Sequence, residues 1–530
     1  MTPANSASPS LSAAEAASGP DAADTLDSLL GEVATLRLEL GEQARVLLEA
    51  WHGGILPERF GKPAAELDLL AADATEGLRN LADYLALRHH DIRPLQRRLM
   101  ACGLSSLGRL ESRVMPTLAA VEQVLAALTG QPERISGLPR TAFFEGEARL
   151  ARASERLFGP ATSRRGGAAA RKSRIMVTMP SDAARTPELA RALIARGMDI
   201  ARINCAHDTS DEWRAMTAHL RQAALEAGRP LRILMDIAGP KIRTAEVLKG
   251  PNGRRLAAGD SVRLVQDPGE RSGRQDMVTA TSTLSTLVSC LRPGQRVLYD
   301  DGRLEAVVDA VADGEAVLRV RRTEEGGTKI RPEKGLNLPD TELGLAPLTA
   351  KDEDDLACVI ECADMIGYSF VSQPEDIDLL ETCLDRIGAA DKPIGLVAKI
   401  ERPEAVRALP ALIARAAHRR PFGIMIARGD LAAEIGFERL AEMQEELLWL
   451  CEAANVPVIW ATQVLETLVK RGTPSRGEMT DAAMSARADC VMLNKGPAVL
   501  DGVETLDRLL TRMQDHGYKK APTLRALTSW

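Results

Sequence analysis

One short stretch sets a problem in electrostatics. In PIGLVAKIERPEAV (393–406) the apolar residues Ile394, Leu396 and Val397 read as a buried strand, yet the run ends in Lys399, Ile400 and Glu401. Side chains two apart on a strand share a face. A lysine and a glutamate therefore leave a core element side by side, where charge is costly unless it is paired or used. Other apolar runs end in the same kind of residue. Arg202 and Asn204 close one run. Asp236 closes another and is followed by Gly239, Lys241 and Arg243. Arg428 with Asp430, and Thr462 with Gln463, close two more. Any one of these could be a structural ion pair. Brought to one place, they would make a pocket.

The types of residue limit the chemistry of such a pocket. Glu401 and Asp430 can hold one divalent ion, and Mg²⁺ (or Mn²⁺) suits oxygen ligands completed by water and substrate phosphate. Arg202, Arg243 and Lys399 offer positive charge to a phosphoryl group in flight, where positioning and charge neutralisation supply most of the catalysis. No Ser/His/Asp arrangement is evident, no G-x-x-x-x-G-K-S/T loop occurs, and no G-x-G-x-x-G follows a strand.

The elements that must position these residues follow from the pattern. Eight short apolar runs are RIMVTM (174–179), DIARIN (199–204), RILMDI (232–237), ADMIGYSF (363–370), IGLVAKIE (394–401), FGIMIARGD (422–430), VPVIWATQ (456–463) and DCVMLNKG (489–496). Most gaps hold a helical stretch such as TPELARALIARGM, which predicts a (β/α)8 TIM barrel with its site at the C-terminal strand ends. The gap after the third run is far longer than a helix needs. It is rich in valine and in turns such as Asp300-Asp301-Gly302 and Asp313-Gly314. This predicts a small β-barrel lid domain inserted after strand 3. Before the barrel, leucines at helical spacing predict an α-helical N-terminal domain. The expected divisions are a disordered tail (1–24), the helical domain of unknown role (25–160), a linker (161–173), the first part of the barrel (174–244), the lid (245–335), the rest of the barrel (336–515) and a C-terminal tail (516–530).

At 530 residues the chain is long enough for several domains, because single cores rarely exceed ~250–300 residues. A net charge of −7 argues against broad nucleic-acid binding. No apolar run of membrane-spanning length occurs, and the first residues lack the basic-then-apolar pattern of a signal peptide. The eight cysteines are scattered through apolar surroundings. They read as buried thiols of a reducing cytoplasm rather than metal ligands, although Cys358 and Cys362 are i,i+4. His89 and His90, adjacent on a helix, point apart and read as surface or interhelical residues.

ARINCAHD (201–208), LMDIAGPKIRT (234–244), KGLNLPD (334–340), AKIERPEAV (398–406), IMIARGDLAAEIG (424–436), VIWATQVLETLVKRGTPSRGEMTDAA (458–483) and CVMLNK (490–495) together resemble the pyruvate kinase family, in the family's order. The resemblance implies a cytoplasmic glycolytic phosphotransferase that moves the phosphoryl group of phosphoenolpyruvate to ADP. Arg202 and Arg243 would bind phosphates, and Lys399 would stabilise the group in transit. Glu401 and Asp430 would hold the divalent ion. Thr462 would sit by the enolate carbon, Gly429 would begin the loop that receives the substrate carboxylate, and His207 and Lys334 would approach the nucleotide. Barrel-to-barrel homodimerisation is compatible with the family.

Departures from the family pattern bear on these roles. Of the K⁺ ligands, Asn204 and Asp236 remain, but Ala206 and Ile237 replace the serine and threonine, and Lys241 replaces an acidic residue. The resemblance then implies a K⁺-independent enzyme in which the Lys241 ammonium does the ion's work. Ala432 replaces a glycine near the keto-acid loop, and Gly496 and Pro497 replace a glutamate and a threonine after strand eight. The family's C-terminal domain has no counterpart after VETLDRLLTRMQDHGYKK, so sugar-phosphate activation is not expected. Two other readings stay open. One is a related barrel enzyme using another enol phosphate or keto acid, and the other is a non-catalytic regulatory or scaffold homologue.

Overall fold

Eight apolar runs become eight parallel strands: Arg174–Thr178, Ile200–Asn204, Arg232–Asp236, Met365–Tyr368, Gly395–Ile400, Phe422–Ala427, Val458–Ala461 and Cys490–Leu493. Each pairs with the next, and the eighth closes on the first in register Arg174↔Cys490 to Val177↔Leu493. The structure is a computed structural model that describes residues 25–52, 65–135, 142–160, 171–248, 255–267, 277–390, 392–514, 516–518 and 521–522. The tail expected at 1–24, most of the 161–173 linker and part of the C-terminal tail lie outside the described residues. The fold is the (β/α)8 barrel that the sequence predicts. Its fifth and sixth strands are buried along their whole length. Strands covered on both faces keep continuous apolar runs instead of alternating.

Local signals set the helices. Pro187–Arg196 starts on proline, whose fixed φ suits the first helical position, and stops at Gly197 with φ 114°. Ser210–Ala227 and Ala350–Cys362 open with reciprocal capping boxes, Thr209 with Glu212 and Thr349 with Asp352. One boundary differs from expectation. The sixth strand stops at Ala427, and Arg428 to Ile435 is a helix with Asp430 in its first turn, where a carboxylate suits the positive helix end.

The insert between the third and fourth barrel strands forms a seven-stranded sheet around its own core, which includes Val262, Leu264, Leu304, Val308 and Leu318. Its longest hairpin, Leu304–Ala312 with Glu315–Thr323, turns at Asp313 and Gly314, both at positive φ. The two ends of the sheet meet. Arg243 bridges Gly335, the Thr244 amide donates to the Lys334 carbonyl at 2.8 Å and the Leu336 amide to the Ile242 carbonyl at 2.9 Å. The sheet thus curls into a small barrel.

The described residues divide into two compact units, one drawn from 1–50 and 79–146, the other from 51–78 and 147–530. In the first, helices Leu26–His52, Arg93–Ala101 and Val114–Leu128 bury Leu29, Leu40, Leu99, Leu118 and Leu125. Asn80 accepts from the Val114 amide at 2.9 Å and donates to the Glu111 carbonyl at 2.6 Å, which caps the Val114–Leu128 helix. His89 is exposed and His90 faces Gln43 at 3.2 Å.

The domain edge expected at residue 160 falls earlier. Leu157 and Phe158, at the end of helix Glu145–Phe158, join Met176, Ile200, Leu234, Met365, Val397 and Met425 in the core at the N-terminal end of the barrel. A Cβ at Gly395 or Gly423 would lie 2.6 or 2.5 Å from Leu157, so glycine is required where this side chain enters. Arg174 ties the helix end to the first strand by donating to the Gly159 carbonyl at 2.7 Å.

Candidate active site

The opposite, C-terminal rim of the barrel carries the charge. Asp236 ends the third strand beside Asn204 and is 1% exposed. Arg202 Nε donates to Asp236 Oδ2 at 2.9 Å, and its Nη1 to Thr178 Oγ1 at 3.0 Å. Lys399 Nζ lies 3.2 Å from Asp236 Oδ1 and 2.8 Å from Glu401 Oε1, and it donates to Ser369 Oγ at 2.7 Å. The Phe370 amide donates to Glu401 Oε2 at 2.8 Å. One continuous chain of contacts therefore runs from Thr178 through Arg202, Asp236 and Lys399 to Glu401. The period-two placement of Lys399 and Glu401 makes an ion pair inside it.

Asp430 completes the charged floor. Lys241 Nζ donates to its Oδ1 at 2.7 Å. Burial would raise both Asp236 and Asp430, but nearby cations outweigh it and hold each carboxyl below its ordinary value: Lys399 and Arg202 for Asp236, Lys241 and Lys399 for Asp430. Glu401 is shifted the other way. Burial raises it, and the neighbouring Asp430 adds to this against the pull of Lys399. Two hard carboxylates, one just past the fifth strand and one in the helix turn after the sixth, thus share one space and repel. That donor set fits a divalent ion such as Mg²⁺. The Lys399 ammonium is held above its ordinary value because Asp236 and Glu401 more than offset its burial.

A strained turn lies beside the floor. Thr462, Gln463 and Leu465 all have φ between 47° and 65° without being glycine. Such residues cost about 1–3 kcal/mol each and persist where the surroundings over-determine them. Arg428 supplies that restraint. It stacks on Trp460 with 4.6 Å to the ring centroid, donates to the carbonyls of Ala461 at 3.2 Å and Thr462 at 2.6 Å, and pairs with Asp481 at 2.9 Å. Thr462 Oγ1 then accepts from the Gly429 amide at 2.8 Å.

The remaining expected residues are arranged differently. Asn204 turns back to accept from the Ala206 amide at 3.1 Å. Lys334 pairs with Asp300 at 3.0 Å within the insert. The Arg243 side chain donates to the Glu333 carbonyl at 3.2 Å. His207 is exposed, and its proton affinity is lowered by partial burial and by Lys495 and Arg243. Two members of the site were not singled out from the sequence. Ser369 follows the fourth strand and also donates to the Ile237 carbonyl at 2.6 Å, and Asp301 of the insert shares the field of Lys241 and Asp430. Ser369 had a usable signal, being the polar residue at the C-terminal end of its apolar run. Asp301 had none beyond its turn.

Residues 170–499 match the family described as pyruvate kinase, barrel domain. A pyruvate kinase of Mycobacterium tuberculosis is 32% identical over 359 residues, covering 66% of this chain and 72% of the relative. A pyruvate kinase of Methylorubrum extorquens is 32% identical over 351 residues, 65% of this chain and 69% of its own length. A Synechocystis protein called pyruvate kinase 2 is 30% identical over 371 residues, 68% and 59% respectively. The matched segment contains every strand of the closed barrel and every charged residue of its rim, and the chain belongs to the pyruvate kinase family as a pyruvate kinase-like phosphotransferase.

Proposed function

We propose that this site transfers the phosphoryl group of phosphoenolpyruvate to ADP, giving pyruvate and ATP. The observation that carries the reading is the buried Lys399 ammonium, held between Asp236, Glu401 and Ser369 at the barrel mouth. A cation fixed in a water-poor site can neutralise a phosphoryl group in transit without reorganising. The P–O bond to the enol oxygen breaks, a P–O bond to the terminal oxygen of ADP forms, and the enolate takes a proton at carbon.

Glu401 and Asp430 would hold Mg²⁺, or Mn²⁺ in its place, and the ion when bound would neutralise phosphate and enolate oxygens. Lys399 and Lys241 would give up part of their pairing with these carboxylates. The Gly429 amide, now on Thr462 Oγ1, would turn to the substrate carboxylate. The Thr462 hydroxyl only accepts from that amide and keeps its own proton, which it would pass toward the enolate carbon through water, taking one back from solvent. Arg202 and Arg243 would orient phosphates, and His207 and Lys334 would meet the nucleotide, Lys334 by leaving Asp300.

K⁺ independence belongs to the same proposal. Asp236 is committed to Arg202 and Lys399, Asn204 to the Ala206 amide, and Ala206 and Ile237 offer no side-chain oxygen. Lys241 supplies fixed positive charge instead. Pyruvate formation from phosphoenolpyruvate and ADP with Mg²⁺, compared in KCl and in tetramethylammonium chloride at equal ionic strength, tests both parts. Turnover equal in the two salts and lost in Lys399→Ala supports them. Absence of turnover in every salt refutes the reaction, and many-fold activation by KCl refutes K⁺ independence.

A further inference from the structure

We propose that Lys495 is an additional cation of the nucleotide subsite, which binds the terminal phosphates of a nucleoside diphosphate at the outer rim of the barrel. This rests on the phosphotransfer reading above for the choice of nucleotide. The position follows from strand register. Leu493, the last residue of the eighth strand, pairs with Val177, and the next residue of the first strand, Thr178, pairs with Arg202. Lys495 therefore leaves the rim two residues beyond a strand whose neighbour is tied to Arg202. It is exposed.

The backbone at this point is fixed. A Cβ on Gly496 would lie 2.7 Å from the Val469 carbonyl oxygen and 2.7 Å from its Cγ1, so only glycine packs there. The Ala498 amide donates to that same carbonyl at 3.0 Å, and Pro497 between them has its φ locked. Gly496 and Pro497, which stand at polar positions of the family pattern, thus anchor with Ala498 a loop that presents a lysine.

The surroundings of Lys495 are cationic. Among the described residues Lys495 has no ion pair, and the Arg243 side chain donates to the Glu333 carbonyl rather than to a carboxylate. Arg202, Lys399 and Lys241, deeper in the mouth, are each paired with carboxylates. Lys495 and Arg243 both lower the proton affinity of His207, as does Arg202, with Asp208 alone opposing them, so these groups share one field. Cations left without carboxylates at an exposed rim suit a polyphosphate that reaches in from solvent. The buried pair of Lys399 and Glu401 suits the smaller reacting group.

The test is direct calorimetric binding of ADP and of inorganic pyrophosphate to the full-length wild type, Lys495→Ala and Lys495→Arg, with and without Mg²⁺. Roughly five- to tenfold weaker binding of both ligands to Lys495→Ala is expected, the scale of one exposed charge-assisted contact. Lys495→Arg should restore most of it, and phosphoenolpyruvate binding should be unchanged. His207 should also titrate at higher pH in Lys495→Ala, read by its imidazole NMR signals. Equal ADP and pyrophosphate affinity in wild type and Lys495→Ala overturns the proposal, as does a wild type that binds neither. Because the readout is binding, a wild type that binds ADP but forms no pyruvate would overturn the reaction and leave Lys495 standing.

Discussion

Lys399 Nζ and Glu401 Oε1 lie 2.8 Å apart at the end of the fifth strand, with the two side chains 11% and 2% exposed. Glu401 also faces Asp430, so this lysine, together with Lys241 on Asp430, keeps two acids tolerable in one space. Removing one partner of a buried pair typically costs about 3–5 kcal/mol, because a charge is left uncompensated. Lys399→Ala is therefore expected to lose stability on that scale in urea titration, as well as about 10²–10³-fold in kcat, the scale of one lost electrostatic stabiliser. Adding Mg²⁺ should restore part of the lost stability, since Glu401 and Asp430 would then share a cation. A variant as stable as wild type without metal would show that the pair is not buried charge.

Ser369 positions this lysine. Its hydroxyl accepts from Lys399 at 2.7 Å while donating to the Ile237 carbonyl at 2.6 Å. Ser369→Ala leaves both groups short of a partner, at about 1–3 kcal/mol. The expected result is a fall in kcat of roughly tenfold with KM for ADP unchanged, and a shifted pH profile as Lys399 loses an acceptor. An unchanged kcat and profile would mean that Asp236 and Glu401 hold the lysine unaided.

Ser369 also shows where the sequence stops being informative. The barrel was legible because parallel strands covered on both faces leave uninterrupted apolar runs, and the period of two put Lys399 and Glu401 on one face. Ser369 ends such a run too, but its role depends on the carbonyl of Ile237, 132 positions away. The pairing of Lys241 with Asp430 spans 189 positions and could not be read from spacing. The helix that starts at Arg428 was hidden because RGD continues an apolar strand, and only the carbonyls of Ala461 and Thr462 explain the turn. The entry of Leu157 into the barrel was hidden too, because its glycine seats at 395 and 423 lie in distant strands.

That entry makes the preceding helix part of the barrel. Leu157→Ala is expected to destabilise the protein by about 2–5 kcal/mol, the range for a buried leucine truncated to alanine. Gly423→Ala should destabilise as well, since its methyl would collide with Leu157. In the double variant the vacated space admits the methyl, so the two losses should fall short of adding. Additive losses in a double-mutant cycle would show that the two sites do not touch.

Asp83, in helix Ala65–Arg88, has its carboxyl raised to about 7 by burial. In the unfolded chain it returns to the ordinary 3.8. A folded-state value above the unfolded one contributes stability that is fully present below pH 4 and lost as pH rises through 7. The loss has an upper bound of about 4 kcal/mol, at about 1.36 kcal/mol per unit. Asp83→Asn removes the titration. It should melt with wild type at pH 4 and above it at pH 8. Parallel pH profiles for the two proteins would place the carboxyl in water.

Lys241 links stability to the ion requirement. Its ammonium is held above its ordinary value, because Asp430 and Asp301 outweigh its burial, and it donates to Asp430 at 2.7 Å. Lys241→Glu would set a third carboxylate beside Glu401 and Asp430 and leave Lys399 alone to balance them. Activity should fall at least about a hundredfold, as for a lost electrostatic stabiliser. KCl alone should not rescue it, because Ala206 and Ile237 supply no oxygen. Adding Ala206→Ser and Ile237→Thr restores two hydroxyls beside Asn204 and Asp236, and pyruvate formation by this triple variant should rise with KCl but not with tetramethylammonium chloride. Rescue of the single variant by KCl would show that backbone oxygens and water already form the cage. A triple variant indifferent to K⁺ would show that Arg202 and Lys399 hold Asp236 too firmly for any ion to share it.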